Sequence, residues 1–170
     1  MIARLASSFF FILCLAGGAQ AQWAMAASNC VPADATIQFN RDQVNTGSVQ
    51  HKPANVDPIT LNCPVAPFTP PGNSQWVLMM TYRDSTGTGT SARVRARLFR
   101  MAVGKTNTNV LAEVDSDGFG DTGTVLHFSA QFSHSFDFGG GVYWVRVELD
   151  RSSTSEVAII HSVALNLAFD

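Results

Sequence analysis

Long apolar runs are missing from this chain of 170 residues except at its very start. Beyond residue 21 no stretch is long and uninterrupted enough for a transmembrane helix, so the mature chain is expected to be soluble, without a membrane span. Charge is scarce too: Asp, Glu, Lys and Arg make up 14% of the residues, 11 basic against 13 acidic. Setting aside Arg4 leaves 10 against 13, a net charge of −3. That balance excludes an electrostatic case for nucleic acid or an anionic membrane as partner. Helical periodicity, internal repeats and a domain linker are all lacking. So are Gly-x-Ser-x-Gly, His-Glu-x-x-His, a phosphate-binding glycine loop and a pair of Glu residues in a catalytic context. Any catalysis would have to be assembled by the fold without a local trace in the sequence.

What the start contains is a basic Arg4, an apolar run from Leu5 to Ala16, and the small residues Ala19 and Ala21. These read as a secretory signal peptide over residues 1–21, cut before Gln22, with a later cut within 24–27 as the alternative. Cys14 follows Leu13 rather than a small residue, which speaks against a lipid anchor. Residues 22–170 are then one exported domain, periplasmic or extracellular. Its two cysteines, Cys30 and Cys63, are most simply a disulfide.

Strand-like alternation fills the rest. The clearest case runs from Val142 to Phe169 and reads as a β-hairpin. Its first arm sets Tyr143, Val145, Val147 and Leu149 against Trp144, Arg146, Glu148 and Asp150. Its second arm aligns Val157, Ile159, Val163, Leu165, Leu167 and Phe169. Val31 to Phe39, with Ala35, Ile37 and Phe39 on one side, predicts a first strand that the disulfide would tie to a second at Ile59–Cys63. Gln75 to Tyr82 is apolar on both faces and predicts a central strand. Arg93 to Met101 and Val110 to Val114 follow. Val125 to Phe138 would place Leu126, Phe128, Phe132, Phe136 and Phe138 on one face, with a break near Ser129-Ala130. Between these lie Pro-, Gly- and Ser-rich connections. The pattern predicts an all-β, antiparallel two-sheet sandwich, jelly-roll-like, of roughly eight to ten strands.

Several clusters carry chemical potential. Asp115, Asp117 and Asp121 among glycines resemble part of a calcium loop, the one cofactor the sequence suggests. Phe119 takes the place of a third acid, and the alternative is an acidic turn between strands. Arg93, Arg95 and Arg97 project from one strand face; they could bind an anion or acidic glycan, or pair with acids such as Glu113, Glu148 or Asp150. His134 and His161 fall on apolar sides and would matter only if brought together with a third ligand. Trp23, Trp76 and Trp144 are candidates for a sugar-stacking platform. Trp144 is the best of them, on a polar strand face near Arg146.

Cys30-Val31-Pro32-Ala33 with Ile37-Gln38-Phe39, followed by Ile59-Thr60-Leu61-Asn62-Cys63-Pro64, resembles the opening of secreted pilin-like subunits of the spore coat U type. In those subunits the first strand is disulfide-linked to a later one. The closing Val163 to Phe169 is similar to their terminal strand. The middle of the chain departs from that pattern and resembles uncharacterised exported bacterial β-sandwich proteins, a likeness that implies no activity. The expectation is therefore a non-catalytic exported binding module of the envelope or extracellular space, with a glycan or envelope protein as partner. A pilin-like surface-assembly subunit that donates or accepts a strand is the alternative, and a metal-dependent hydrolase a third.

Overall fold

The computed structural model describes residues 22–34, 41–43, 47–70 and 74–168, residues 41–43 through their backbone alone. The expected leader, the first-strand positions Ala35, Ile37 and Phe39, and the terminal Phe169 lie outside them. Twelve strands occur among the described residues. They are β1 (Trp23–Ala26), β2 (Val31–Pro32), β3 (Arg41–Gln43), β4 (Val49–His51), β5 (Ile59–Pro64) and β6 (Gln75–Asp84). Then come β7 (Ala92–Ala102), β8 (Thr108–Asp115), β9 (Thr124–Phe128), β10 (Phe132–Ser133), β11 (Gly141–Arg151) and β12 (Ala158–Leu167). The excess over eight to ten consists of short pieces such as the two-residue β2 and β10.

The strands form the antiparallel, jelly-roll-like sandwich that the alternation predicted. One sheet has seven strands in the order β10-β6-β12-β4-β3, with β9 beside β6 and β1 beside β12. The other has five, β2-β5-β11-β7-β8. Between them lies one core. From the seven-stranded sheet come Trp76, Leu78, Met80, Tyr82, Ile160 and Leu165; from the other come Leu61, Leu98, Tyr143, Val145, Val147 and Leu149, all at most 2% exposed. Each such side chain contributes about 1.5–3 kcal/mol of burial. The β6 strand is central, as expected, held between β12 and the β9/β10 edge.

Two expectations are corrected here. The first is the hairpin. β11 pairs with β5 and β7, whereas β12 pairs with β6, β4 and β1 in the opposite sheet. The two arms therefore face each other through the core rather than bond edge to edge. Residues 152–157 carry the chain across, and Arg151 secures that crossing. Its guanidinium donates to the backbone carbonyls of Lys52, Pro53, Asn55, Thr154 and Glu156. Within β12, moreover, the register shifts between Ile160 and Ser162, so His161 is the extra residue of a bulge. Ala158 and Ile160 face the core before it and Val163 and Leu165 after it, leaving Val157 and Ile159 out of phase with the later apolar positions.

The second correction concerns β9. Leu126 and Phe128 are 45% and 47% exposed. β9 pairs Val125 with Tyr82 and His127 with Met80, both core residues, so Val125 and His127 share their inward face. The break expected near Ser129 is present, since β9 ends at Phe128 and β10 begins at Phe132. It resets the phase, and Phe132, Phe136 and Phe138 do pack against the core.

Candidate functional site

On the outer face of the five-stranded sheet, cross-strand register builds an ordered polar surface. Glu148 lies opposite Thr60 on β5 and Arg95 on β7, and Arg95 lies opposite Asp115 on β8. In the next row Arg146 sits between Asn62 and Arg97, and Arg97 faces Glu113. Opposite charges at these spacings attract directly. Glu148 takes hydrogen bonds from both Arg95 and Arg97, the Arg95 Nε bond at 2.9 Å. Burial pushes the Glu148 carboxyl up, but the hydrogen bonds and charges of Arg95 and Arg97 outweigh it and hold the group below the usual carboxylate value. Arg93 grips Asp115 with two guanidinium nitrogens, its Nε at 2.9 Å. The three arginines are thus occupied by the acids facing them, and Glu148 is the hub. Replacing Glu148 with Ala strands two half-buried guanidiniums and is expected to lower unfolding stability by about 1–3 kcal/mol. Urea denaturation checks it, and an unchanged midpoint would mean the pairs contribute nothing.

One row further along, the same face turns aromatic. Trp144 pairs with Phe99 on β7 and Pro64 on β5. Its ring stacks on that of Phe99 with centroids 5.3 Å apart and planes 11° from parallel. The Arg146 and Arg97 guanidiniums lie 5.1 and 5.5 Å from the Phe99 centroid, within cation–π range. Phe99 is left 7% exposed, while Trp144 is only half-buried and is the ring the face presents. Among the described residues Arg146 is paired with no carboxylate; it reaches Asn62 Oδ1 at 3.5 Å. A flat indole flanked by a cation and an amide can stack a planar or C–H-rich partner and hydrogen-bond its edge.

The acidic loop behaves differently. Asp115 and Asp117 both converge on Arg93, with Asp117 Oδ2 3.6 Å from its Nε. Burial raises the Asp115 carboxyl, and Arg93 together with the Asp117 backbone N–H outweighs this and lowers it. Asp121 instead bonds His127 Nε2 at 2.9 Å, and His127 stacks on Phe119 at 3.7 Å. Among the described residues no three His, Cys, Asp or Glu side chains converge to hold a metal ion. With a guanidinium already between two of the carboxylates, calcium or a chelator is expected to move the thermal midpoint by less than about 1 °C; a rise of several degrees with calcium would restore a cation site.

His134 and His161 are not brought together. His161 is opposite Thr81 and Tyr82, whereas His134 follows β10 at the Trp76 end of the same strand. That separation is about five residues along β6, roughly 16 Å. His161 Nδ1 lies 3.2 Å from Ser48 Oγ. His134 Nε2 lies 3.1 Å from Tyr143 Oη, which also accepts from Arg100 Nε at 3.2 Å and from the Asp137 amide at 3.1 Å. Two donors fill both lone pairs of the phenol, so its hydrogen goes to Nε2 and His134 is neutral. Burial, then Arg100, lowers its pKa accordingly. Of the other tryptophans, Trp23 and Trp76 are core residues, 7% and 0% exposed.

Sequence reasoning set Arg146 near Trp144 but missed Phe99 and Asn62 as parts of the platform. Phe99 follows Leu98 as a second consecutive apolar residue. A register shift between Leu98 and Phe99 against β8 marks the irregularity there, and pairing with β11 sets Phe99 beside Trp144. Only the strand order reveals that neighbour.

No protein-family model and no curated protein matches the chain. Among solved structures, a carbohydrate-binding module of the CBM6 type from Cellvibrio mixtus lichenase 5A, in complex with cellotriose, is similar at 12% identity and a TM-score of 0.47, over 88% of this chain and 100% of that one. The CBM36-1 domain of a multidomain xylanase from the hindgut metagenome of Trinervitermes trinervoides is similar at 10% identity and a TM-score of 0.42, over 87% and 98%. Likeness at this level assigns neither a family nor a ligand, and the site is read from its own residues.

Proposed function

We propose that the chain is an exported, non-catalytic binding module that takes a glycan on the outer face of its five-stranded sheet. Trp144 is the stacking platform, and Arg146 and Asn62 are the polar contacts. One observation carries the reading: a half-buried tryptophan stacks on Phe99, beside a cation, Arg146, that has no carboxylate partner among the described residues. A buried tryptophan is ordinary, but one kept open on a charged sheet face and braced from the side is pre-organised for a flat partner. Export is supported by the leader-like start and by the Cys30–Cys63 disulfide, a bond favoured in oxidising compartments.

The test is a glycan array followed by calorimetry on any ligand it returns. Trp144→Ala is expected to weaken binding at least about tenfold, or roughly 1.4 kcal/mol, while the protein stays folded and its thermal midpoint falls by a few degrees through loss of the stack on Phe99. Arg146→Ala should weaken it selectively for acidic glycans. An array with no hits, or a hit indifferent to Trp144→Ala, removes this reading and turns attention to the surface-assembly alternative.

A further inference from the structure

We infer that the outer-face site is built for a linear, flat, acidic glycan that lies across the strands, sets several sugar rings in a row and turns a carboxylate toward Arg146. The inference rests on the outer-face reading and names the class of glycan that reading leaves open.

Cross-strand register decides the direction. Val110 on β8, Phe99 on β7, Trp144 on β11 and Pro64 on β5 stand opposite one another in a single row, and every member is apolar. Phe99 is the covered brace against the indole, while Val110 is 50% exposed and Pro64 is exposed as well. With neighbouring strands about 4.8 Å apart, the row reaches roughly 14 Å across the sheet, enough for about three rings. A flat sugar ring lays its C–H face on such a surface while its hydroxyls leave sideways toward water, so successive rings can sit on Val110, Trp144 and Pro64 without burying a hydroxyl. A chain laid along β11 instead would leave the indole after one ring and run onto Glu148, whose carboxylate is already bonded to Arg95 and Arg97. An extended peptide fits worse, because the face of a sheet offers no backbone groups to meet its amides and carbonyls.

The rows on either side decide the charge. About 7 Å along the strands on one side stand Arg97, Arg146 and Asn62, with Glu113 at the β8 edge. Arg97 is engaged by Glu148 and lies 4.0 Å from Glu113. Arg146 has no carboxylate partner among the described residues, and its guanidinium is held 5.1 Å from the Phe99 centroid with Asn62 Oδ1 at 3.5 Å. The other side presents Thr108, Met101 and Val142, the last 52% exposed, without a charge among them. A chain crossing at Trp144 therefore meets one available cation, on one edge and beside the middle of its length. A carboxylate carried by the ring over Trp144 satisfies that cation, and a charge-assisted hydrogen bond there is stronger than one to a neutral hydroxyl. A chain with a phosphate at every unit is a poor fit, since one free guanidinium cannot offset it.

The experiment is an NMR titration of the full mature chain, following the Trp144 indole N–H, with β-linked oligomannuronates of one to five units and the neutral β-linked manno-oligosaccharides of the same lengths as the matched series. Affinity for the acidic series is expected to rise at least about tenfold from one unit to three and to level off beyond, where the row ends. At three units the acidic oligomer should bind at least about fivefold tighter than the neutral one, and Arg146→Gln should abolish that gap. Val110→Asn, a change at an exposed position, should weaken the three-unit oligomer at least about threefold and leave the single sugar unaffected. Equal affinity for one unit and three, an acidic series no tighter than the neutral one, or no saturable shift with any probe at about 10 mM overturns the inference. The outer-face reading fails separately, when an array hit binds as well to Trp144→Ala; a ligand that depends on Trp144 but gains nothing from added rings keeps that reading and removes the row.

Discussion

Replacing Cys30 and Cys63 together with alanine is expected to lower the unfolding free energy by about 3–4 kcal/mol. The bond joins residues 33 apart in sequence, so its loss releases a long loop in the unfolded chain. The folded state also suffers where it is thinnest. β2 is two residues long and meets β5 through Val31 with Asn62 and Pro32 with Leu61, plus one hydrogen bond from the Ala33 amide to the Thr60 carbonyl. Such a strand does not hold an edge alone, and the staple keeps it there. Both sulfurs are buried, Cys30 at 3% and Cys63 at 0% exposure. A serine pair should therefore be worse than the alanine pair, because a hydroxyl at these positions must be buried as well. For a domain of this size the alanine pair should melt roughly 10 °C lower. A thermal midpoint unchanged by the double substitution, or by reduction, would show that the bond holds nothing.

The second large effect is a loss of stability on acidification. Burial, reinforced by the positive charge of Arg151, lowers His51 from 6.5 to about 4, with the Asp57 backbone and carboxylate pulling weakly the other way. Between those two values the unfolded chain holds a proton on this histidine that the folded chain does not. The stabilisation is therefore complete above about pH 6.5 and declines steadily toward pH 4. The full gap corresponds to about 3 kcal/mol. His134 and His161 are lowered as well, principally by burial, and act in the same direction as the pH falls below 6.5. Glu148 and Asp115, both held below the usual carboxylate value, extend the decline once the pH falls through theirs. Asp117 and Asp150, raised first by burial and then by neighbouring carboxylates, oppose it at the acid end. Urea midpoints measured across pH 7 to 4 check the slope, and NMR titration of the His51 ring assigns it. A His51 titrating near 6.5 with a flat stability profile would contradict the buried, neutral ring.

Much of the fold was legible because alternation reports burial directly. Tyr143, Val145, Val147 and Leu149 are inward in the structure as the pattern required, and the pairing of Arg95 and Arg97 with Glu148 was among the partners open to those arginines. Alternation does not report which strand lies alongside. β11 and β12 looked like one hairpin because each has an apolar and a polar face, but two central strands of opposite sheets satisfy the same pattern. Single-residue bulges are equally silent in a period-two reading, and the extra residue His161 inverted half of β12. Alternation itself misled at Phe128, which it set on one face with Leu126, Phe132, Phe136 and Phe138, whereas the register with β6 turns Leu126 and Phe128 out. At His51 the polar neighbours in sequence give no sign of a nearly complete burial. The platform at Trp144 was half legible: its own position on a polar face was, while the bracing by Phe99 from another strand was not.

The most direct test of the outer-face reading is amide and indole NMR mapping of the full mature chain with a glycan returned by the array. The account predicts that the Trp144 indole N–H and the backbone amides of Phe99, Arg146 and Asn62 shift together and saturate with a single Kd. A glycan that binds tightly while leaving those four residues unmoved would contradict it.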